Sequence, residues 1–221
     1  YEKIGRVITN YSVNSAGRIN VTQTIEPDDN LPNLPRFGMV IELPIQFENM
    51  TWFGRGPHES YWDRKSGAKI DLYTGKVADQ YHPYVRPQET GNKTDVRWAA
   101  FTDNLGSGIM IRGDTLSVNA THFRITDFDN GNVEVAARSA TSNIRTKKQH
   151  RHTVDMIPRK LINVHIDHKQ MGVGGEDSWG SQPLPQYQLP AKKYSYSFTM
   201  VPIPKNSNPV TISKNVVRKN K

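Results

Sequence analysis

The sequence predicts an all-β protein built as a large antiparallel β-sandwich. Many short segments alternate between apolar and polar residues with a period of two, which is typical of half-buried strands. Turn signals drawn from 14 prolines and 16 glycines separate these segments. No window carries a sustained helical stripe of apolar residues, and 221 residues are enough for a sizeable core. This combination is typical of a sandwich.

The predicted strands begin with a hairpin in residues 4–26, whose two arms meet at the turn 14–17. A loop rich in proline and Asx residues lies over 28–35. The strand predicted over 37–48 contains Pro44, which lacks a backbone N–H and therefore predicts an edge strand or a bulge. Further elements are predicted as strands over 50–53, 96–101, 108–111, 116–123, 133–137, 161–167 and 194–201, and as a short helix within 137–152.

Residues 1–203 are assigned to the sandwich and 204–221 to a basic, disordered tail. The tail holds five basic and no acidic residues, so it accounts for most of the net charge of +8. Because the remaining basic residues are interleaved with acids and no nucleic-acid motif occurs, no nucleic-acid partner is predicted. No run of about 18 apolar residues exists, so no membrane span is predicted. The start on Tyr1 suggests a piece of a longer, N-terminally truncated chain.

A glycine-rich loop, residues 170–179, comes after the strand predicted over 161–167. Its sequence is Gln-Met-Gly-Val-Gly-Gly-Glu-Asp-Ser-Trp. Three glycines allow sharp turns, while Asp177 and Ser178 can bond to loop amides. Such a loop could hold the ring of Trp179 at a fixed place, and fixed aromatic faces are typical of sugar-binding sites. On composition alone, the simpler interpretation is a turn followed by a buried tryptophan.

Two more stretches are dense in aromatic and charged residues. Residues 51–64 combine four aromatics with a Gly-Pro turn, His58, Glu59 and Asp63. Residues 79–92 hold Tyr81, Tyr84 and Glu89, and two prolines favour an extended path between them. Loops of this kind on a β scaffold often form sites. They are equally able to form buried polar networks that pin long loops to a sandwich.

Three motifs together resemble one family. Residues 52–64 (Trp-Phe-Gly-Arg-Gly-Pro-His-Glu-Ser-Tyr-Trp-Asp-Arg), 84–91 (Tyr-Val-Arg-Pro-Gln-Glu-Thr-Gly) and 171–179 (Met-Gly-Val-Gly-Gly-Glu-Asp-Ser-Trp) resemble the C-terminal small-chain domain of bacterial β-galactosidases of glycoside hydrolase family 2. The motifs keep the family's order, and the resemblance extends from the first strand to about Val201. It implies a supersandwich of the galactose-mutarotase-like type.

The resemblance implies a sugar-binding role for part of the chain. The residues it places at the active-site mouth are Trp179, Ser178, Asp177, Gly56, Pro57, His58 and Glu59, with Trp179 stacking on the sugar. The implied parent is a retaining enzyme acting on β-galactosides such as lactose, often a homo-oligomer. Its compartment, bacterial cytoplasm or periplasm, stays undecided.

The catalytic parts are not expected in this chain. In the family the two glutamates that cleave the bond lie on a (β/α)₈ barrel, and no alternating βα pattern occurs here. The barrel and the other domains are therefore implied partners, and the Mg and Na commonly used by the family belong to that barrel. No cofactor is expected in this chain.

Two pairs of acids are the candidates for a catalytic site within the chain itself. Glu176 and Asp177 fit better as caps of loop amides. Glu59 and Asp63, with Arg55 and Arg64 nearby in sequence, are expected to be ion-paired.

Alternatives from other classes remain. A mutarotase could use His82 or His122 with Glu89, and a carbohydrate-binding module would need only Trp179. Two histidine pairs, His150 with His152 and His165 with His168, have the spacing of metal ligands, but a zinc site needs three or four converging groups. No metal site is predicted.

Overall fold

The computed structural model describes residues 4–28, 30–128, 152–175 and 180–218. These residues form nine strands and one α-helix. Short 3₁₀ turns connect several of them. The elements in chain order are β1 Gly5–Val13, β2 Ile19–Pro27, β3 Arg36–Pro44, β4 Asn49–Gly56, β5 Lys69–Lys76, β6 Lys93–Thr102, β7 Gly108–Thr121, β8 Leu161–Gln170, β9 Tyr194–Ile203 and α1 Pro209–Arg218.

The strand β7 organises the sheet because it is long enough to serve three antiparallel neighbours. One of its edges pairs with β6. Its other edge pairs with β9 over residues 108–113 and with β8 over residues 117–121. The sheet therefore divides at β7 into two branches. One continues from β9 through β2 to β1, and the other from β8 to β3.

The two branches enclose the main core. Val21 and Phe198 from the first branch pack with Val164 and Ile166 from the second, and all four are buried. Tyr196 crosses the gap, donating a hydrogen bond of 2.8 Å to the carbonyl of Ile166. The pairing confirms an all-β antiparallel sandwich, and burial of these apolar side chains is its main stabilising contribution.

The outer face of the β6, β7 and β9 segment carries a second, smaller apolar cluster. Trp98, Met110 and Val201 form it, and Val210 and Ile212 of α1 pack against it. The sequence predicts a disordered tail over 204–221, whereas residues 209–218 form the amphipathic helix α1. The helical signal was too short to stand out, because contacts with the sheet contribute more to a ten-residue helix than its propensity does.

Most predicted strands are present, with differences that have local causes. Pro44 ends β3 and, within the described residues, β3 pairs with β8 alone, as expected for an edge strand. The strands predicted over 108–111 and 116–123 are one strand, β7. The strand β5 was missed because it is a largely exposed edge with little apolar alternation. The strand predicted over 133–137 lies outside the described residues, as does nearly all of the segment predicted to hold a helix, 137–152.

No helix in the described part of the chain is long and apolar enough to cross a bilayer.

Candidate functional site

One face of β7 and β8 is polar although it is buried. Alternate residues point to opposite faces of a strand, so the residues between the core positions share this second face. Buried polar groups of this kind must be hydrogen-bonded to be tolerated. The polar row consists of Ser117, Asn119, Thr121, Asn163, His165 and Asp167.

Residues from the predicted motif loops cover the polar row and hydrogen-bond two of its members, Ser117 and Asn119. Ser117 donates to the side chain of Asn92 at 2.8 Å, and Asn92 in turn donates to the carbonyl of Ser60 at 2.8 Å. Asn119 donates to Glu89 at 2.9 Å and also to the carbonyl of Thr90. The loops of residues 57–65 and 79–92 are thus fixed to the sheet.

Arg36 is the cationic centre of this covered region. It donates to Asp167 through two nitrogens, at 3.0 and 2.5 Å, and to Glu89 at 3.0 Å. Burial raises the pKa of Asp167 to about 6, against the opposing pull of Arg36. Burial also raises the pKa of Glu89. Burial lowers the pKa of the neighbouring His165 to about 4, so this imidazole is neutral at pH 7.

A tight turn places Asp63 against the glycine-rich loop. Tyr61 and Arg64 exchange backbone hydrogen bonds of 3.0 and 2.9 Å, which leaves two residues at the tip. The Asp63 carboxylate accepts hydrogen bonds from the amides of Val173 at 3.1 Å and Gly174 at 2.8 Å. The first and third motifs, about 110 residues apart in the chain, therefore meet in space.

Two glycines make this contact feasible. A Cβ added to Gly172 would lie 2.7 Å from the Asp63 carboxyl carbon, so only glycine permits the close approach. Gly174 has φ of 63°, in the left-handed region that glycine adopts without strain. The loop thus approaches Asp63 with its backbone.

Glu59 joins the first motif to the second. Its carboxylate accepts hydrogen bonds from Arg64 at 2.7 Å, from the Gly91 amide at 2.8 Å and from the Tyr84 hydroxyl. The prediction that Glu59 is ion-paired is confirmed by Arg64. The same prediction was wrong for Asp63, which binds loop amides, since Arg55 instead pairs with Asp95 at 2.5 Å.

A cavity of about 150 Å³ lies beside Glu59. Pro57, His58 and Glu59 line it together with Lys93 and His82. The Lys93 side chain is buried, donates to the Gly91 carbonyl at 3.0 Å and lies 5.3 Å from the Trp52 ring centroid. Burial lowers the pKa of Lys93 to about 8, although the charge of Glu59 opposes the shift.

The structure brings together some of the predicted site residues. Pro57, His58 and Glu59 share the cavity described above, and Gly56 ends β4 next to them. Asp177, Ser178 and Trp179 lie outside the described residues, as does Glu176. The described chain stops on either side of them at Gly175 and Gly180, and Gly175 comes directly after the Gly174 amide that Asp63 holds.

The histidines and the glutamate suggested for a mutarotase contact other groups in the fold. Glu89 contacts Arg36 and Asn119. The ring nitrogens of His122 lie 2.7 Å from the Leu161 carbonyl and 2.9 Å from Glu48. His82 packs edge-on against Tyr84, with ring centroids 4.5 Å apart.

Within the part of the chain that the structure describes, no three His, Cys, Asp or Glu side chains cluster as metal ligands would.

Sequence reasoning missed Lys93 and Arg36 as parts of this region. Both look like ordinary surface cations in sequence, since Arg36 comes after a proline loop and Lys93 begins a strand. The sequence feature that could have indicated the burial of Lys93 is Gly91 in the second motif, because a glycine there allows the chain to turn and bury the residues after it. The burial of both cations depends on loops that arrive from elsewhere in the chain.

The chain matches one known protein family over most of its length. The family model described as "Beta galactosidase small chain" matches residues 1–200. A β-galactosidase of Priestia megaterium is 37% identical over 198 residues, which covers 87% of this chain and 17% of the relative. One of Pseudoalteromonas haloplanktis is 31% identical over 191 residues, covering 86% and 16%. One of Lactobacillus delbrueckii subsp. bulgaricus is 31% identical over 189 residues, covering 86% and 17%. The chain thus spans about a sixth of the length of these relatives.

The contact between Asp63 and the loop leads to a first prediction. Asp63→Ala removes the shared acceptor of the Val173 and Gly174 amides, so their hydrogen exchange should accelerate by about 10- to 100-fold, as expected for charge-assisted bonds of about 1.5–3 kcal/mol. Amide exchange followed by NMR measures this directly. Asp114→Ala, at an exposed aspartate, serves as the control. Unchanged exchange at both amides would contradict the role of Asp63.

The buried lysine leads to a pH prediction. The folded-state pKa of Lys93, about 8, lies below its ordinary value of 10.5. The unfolded state therefore binds the proton more tightly, and wild-type stability should rise with pH between about 8 and 10.5 relative to Lys93→Met, by up to about 3 kcal/mol. Urea unfolding across this range measures the difference, with Lys69→Met, at an exposed lysine, as control. A difference that stays flat with pH would show that Lys93 titrates normally.

Proposed function

Because the chain belongs to the β-galactosidase small-chain family, we propose that it is one domain of a retaining β-galactosidase that hydrolyses terminal β-galactosides such as lactose. In this proposal the domain is C-terminal in the parent and contributes to the mouth of the active site. Bond cleavage is carried out by parts of the parent outside this chain. The partners are a (β/α)₈ barrel and the other domains, which accounts for relatives about six times longer.

The observation that carries the proposal is the contact between Asp63 and the Val173 and Gly174 amides. It anchors the start of the segment that ends at Trp179. An anchored loop can present an aromatic ring at a fixed place without a large loss of entropy on binding. Trp179 then stacks on the apolar face of a sugar, chiefly at the aglycone position, while Asp177 and Ser178 hold the loop. Gly56, Pro57, His58 and Glu59 form the neighbouring wall.

The carboxylates near the site are already bound to arginines or backbone amides. This supports a catalytic pair that lies outside this chain. A retaining glycosidase needs one carboxylate as nucleophile and one as acid/base, about 5 Å apart. Glu59, Glu89 and Asp95 are each bound to an arginine, and Asp63 is bound to two amides. Carboxylates held in this way brace loops, and they are poorly placed to attack a sugar or to transfer a proton.

The stacking role is tested in the full-length parent enzyme. Trp179→Ala should weaken aglycone and acceptor binding by about 1–3 kcal/mol, because an aromatic anchor contributes roughly this much. Steady-state hydrolysis of lactose and transfer to glucose measure the effect. Trp179→Phe, which keeps an aromatic face, should lose less. Unchanged kinetics in Trp179→Ala for both reactions would remove this residue from the site.

The proposal that bond cleavage needs parts of the parent outside this chain is tested with the 221-residue chain itself. We expect no release of nitrophenol from an aryl β-galactoside and no acceleration of the mutarotation of α-galactose. Turnover of the aryl galactoside would place a hydrolase site in this chain and make Glu59 and Asp63 the first residues to mutate. Activity in mutarotation alone would favour an aldose epimerase instead.

A further inference from the structure

A larger cavity, of about 250 Å³, lies where the tight turn at Tyr61–Arg64 meets β7 and the end of β8. We propose that this Trp62 cavity binds a single pyranose ring. None of its lining residues belongs to the sugar-binding set that the family resemblance implies. The residues used in the argument are Trp62, Lys65, Asp95, Thr115, Lys169 and Gln170.

The wall of the Trp62 cavity includes an indole that its neighbours hold in place. The Trp62 ring packs edge-on against Tyr187, with centroids 6.1 Å apart. The Lys169 ammonium lies 4.4 Å from the ring centroid. A positioned aromatic ring with a few polar groups around it is the general composition of a sugar-binding pocket.

Gln170 supplies the most specific observation. Its side-chain Oε1 is buried and has no hydrogen-bond partner within the described residues. A buried acceptor without a partner is rare in native proteins and destabilising, unless a ligand or water completes it. A ligand that brings a donor such as a hydroxyl would complete it.

The charges around the cavity favour a hydroxyl-rich ligand over a simple anion. Asp95 is bound by Arg55 at 2.5 Å and by Lys65 at 3.2 Å, so the wall presents ammonium donors and an occupied carboxylate. An inorganic anion would suit Lys65 and Lys169 but would leave Gln170 Oε1 unpaired. A sugar hydroxyl both donates and accepts, so one ring can satisfy both kinds of group.

The backbone of the cavity wall is strained at two places. Asp95 and Thr115 both have φ of 53°, which is uncommon for residues other than glycine and most unusual for a β-branched threonine. Both lie where the register between β6 and β7 shifts. Bulges and strained residues concentrate at binding sites, because they aim side chains that a regular ladder would not.

The size of the cavity suits one sugar ring. A volume of about 250 Å³ corresponds to roughly eight waters. It lies below the range of about 300–1,000 Å³ typical of drug-sized ligands.

The test monitors the indole N–H signals of the ¹⁵N-labelled 221-residue chain while methyl β-galactoside or methyl β-glucoside is added. The four signals belong to Trp52, Trp62, Trp98 and Trp179, and single Trp→Phe variants assign them. We expect the Trp62 signal to shift with a saturating, millimolar affinity. Gln170→Leu should weaken binding at least tenfold, whereas Gln182→Leu, at an exposed glutamine, should not change it. Unmoved Trp52 and Trp98 signals show that each variant is folded.

The outcomes separate this inference from the proposed role of Trp179. Binding at the Trp62 cavity should persist in Trp179→Ala, whatever the kinetics of that variant in the parent enzyme. A shift confined to the Trp179 signal, equal affinity in Gln170→Leu and wild type, or no saturation with either sugar would overturn the inference. Inorganic phosphate shifting Trp62 while both sugars fail would assign the cavity to anions and overturn it too.

Discussion

The structure depends on the need to hydrogen-bond a row of buried polar side chains on β7 and β8. An unpaired buried polar group costs about 1–3 kcal/mol, so an uncovered or unmatched row would make the sandwich unstable. The loops of residues 57–65 and 79–92 meet this need for Ser117 and Asn119, through Asn92, Glu89 and the carbonyls of Ser60 and Thr90. Their path across the sheet is therefore determined by the row beneath them.

The candidate site results from these covering loops. Once residues 57–65 are held against the sheet, the turn at Tyr61–Arg64 carries Asp63 to the glycine-rich loop and Trp62 to the cavity wall. Neighbouring residues of one turn thus serve two regions, the loop leading to Trp179 and the Trp62 cavity. Loops carry the binding groups while the sandwich supplies rigidity, a common division in β proteins.

The covering loops also bury charged side chains. Arg36, Glu89 and Asp167 are drawn out of water together, and each tolerates burial because the others are present. Lys93 lacks an ion pair this close within the described residues, and burial therefore lowers its pKa to about 8. The cluster ties β3, β8 and the second motif into one unit. These contacts explain why charged motif residues can be structural braces even when they lie beside a site.

The sequence by itself determined the fold class, most strand positions and the family, because alternation, turn residues and three motifs are local properties of the chain. It also singled out Glu59 and the glycine-rich loop. Only the tertiary structure decided that Asp63 binds loop amides, that Lys93 and Arg36 are buried, that β5 is a strand and that residues 209–218 form a helix. Each of these depends on partners far away in the chain. Strand pairing, burial and charge compensation depend on residues that are distant in sequence, so no local sequence pattern predicts them.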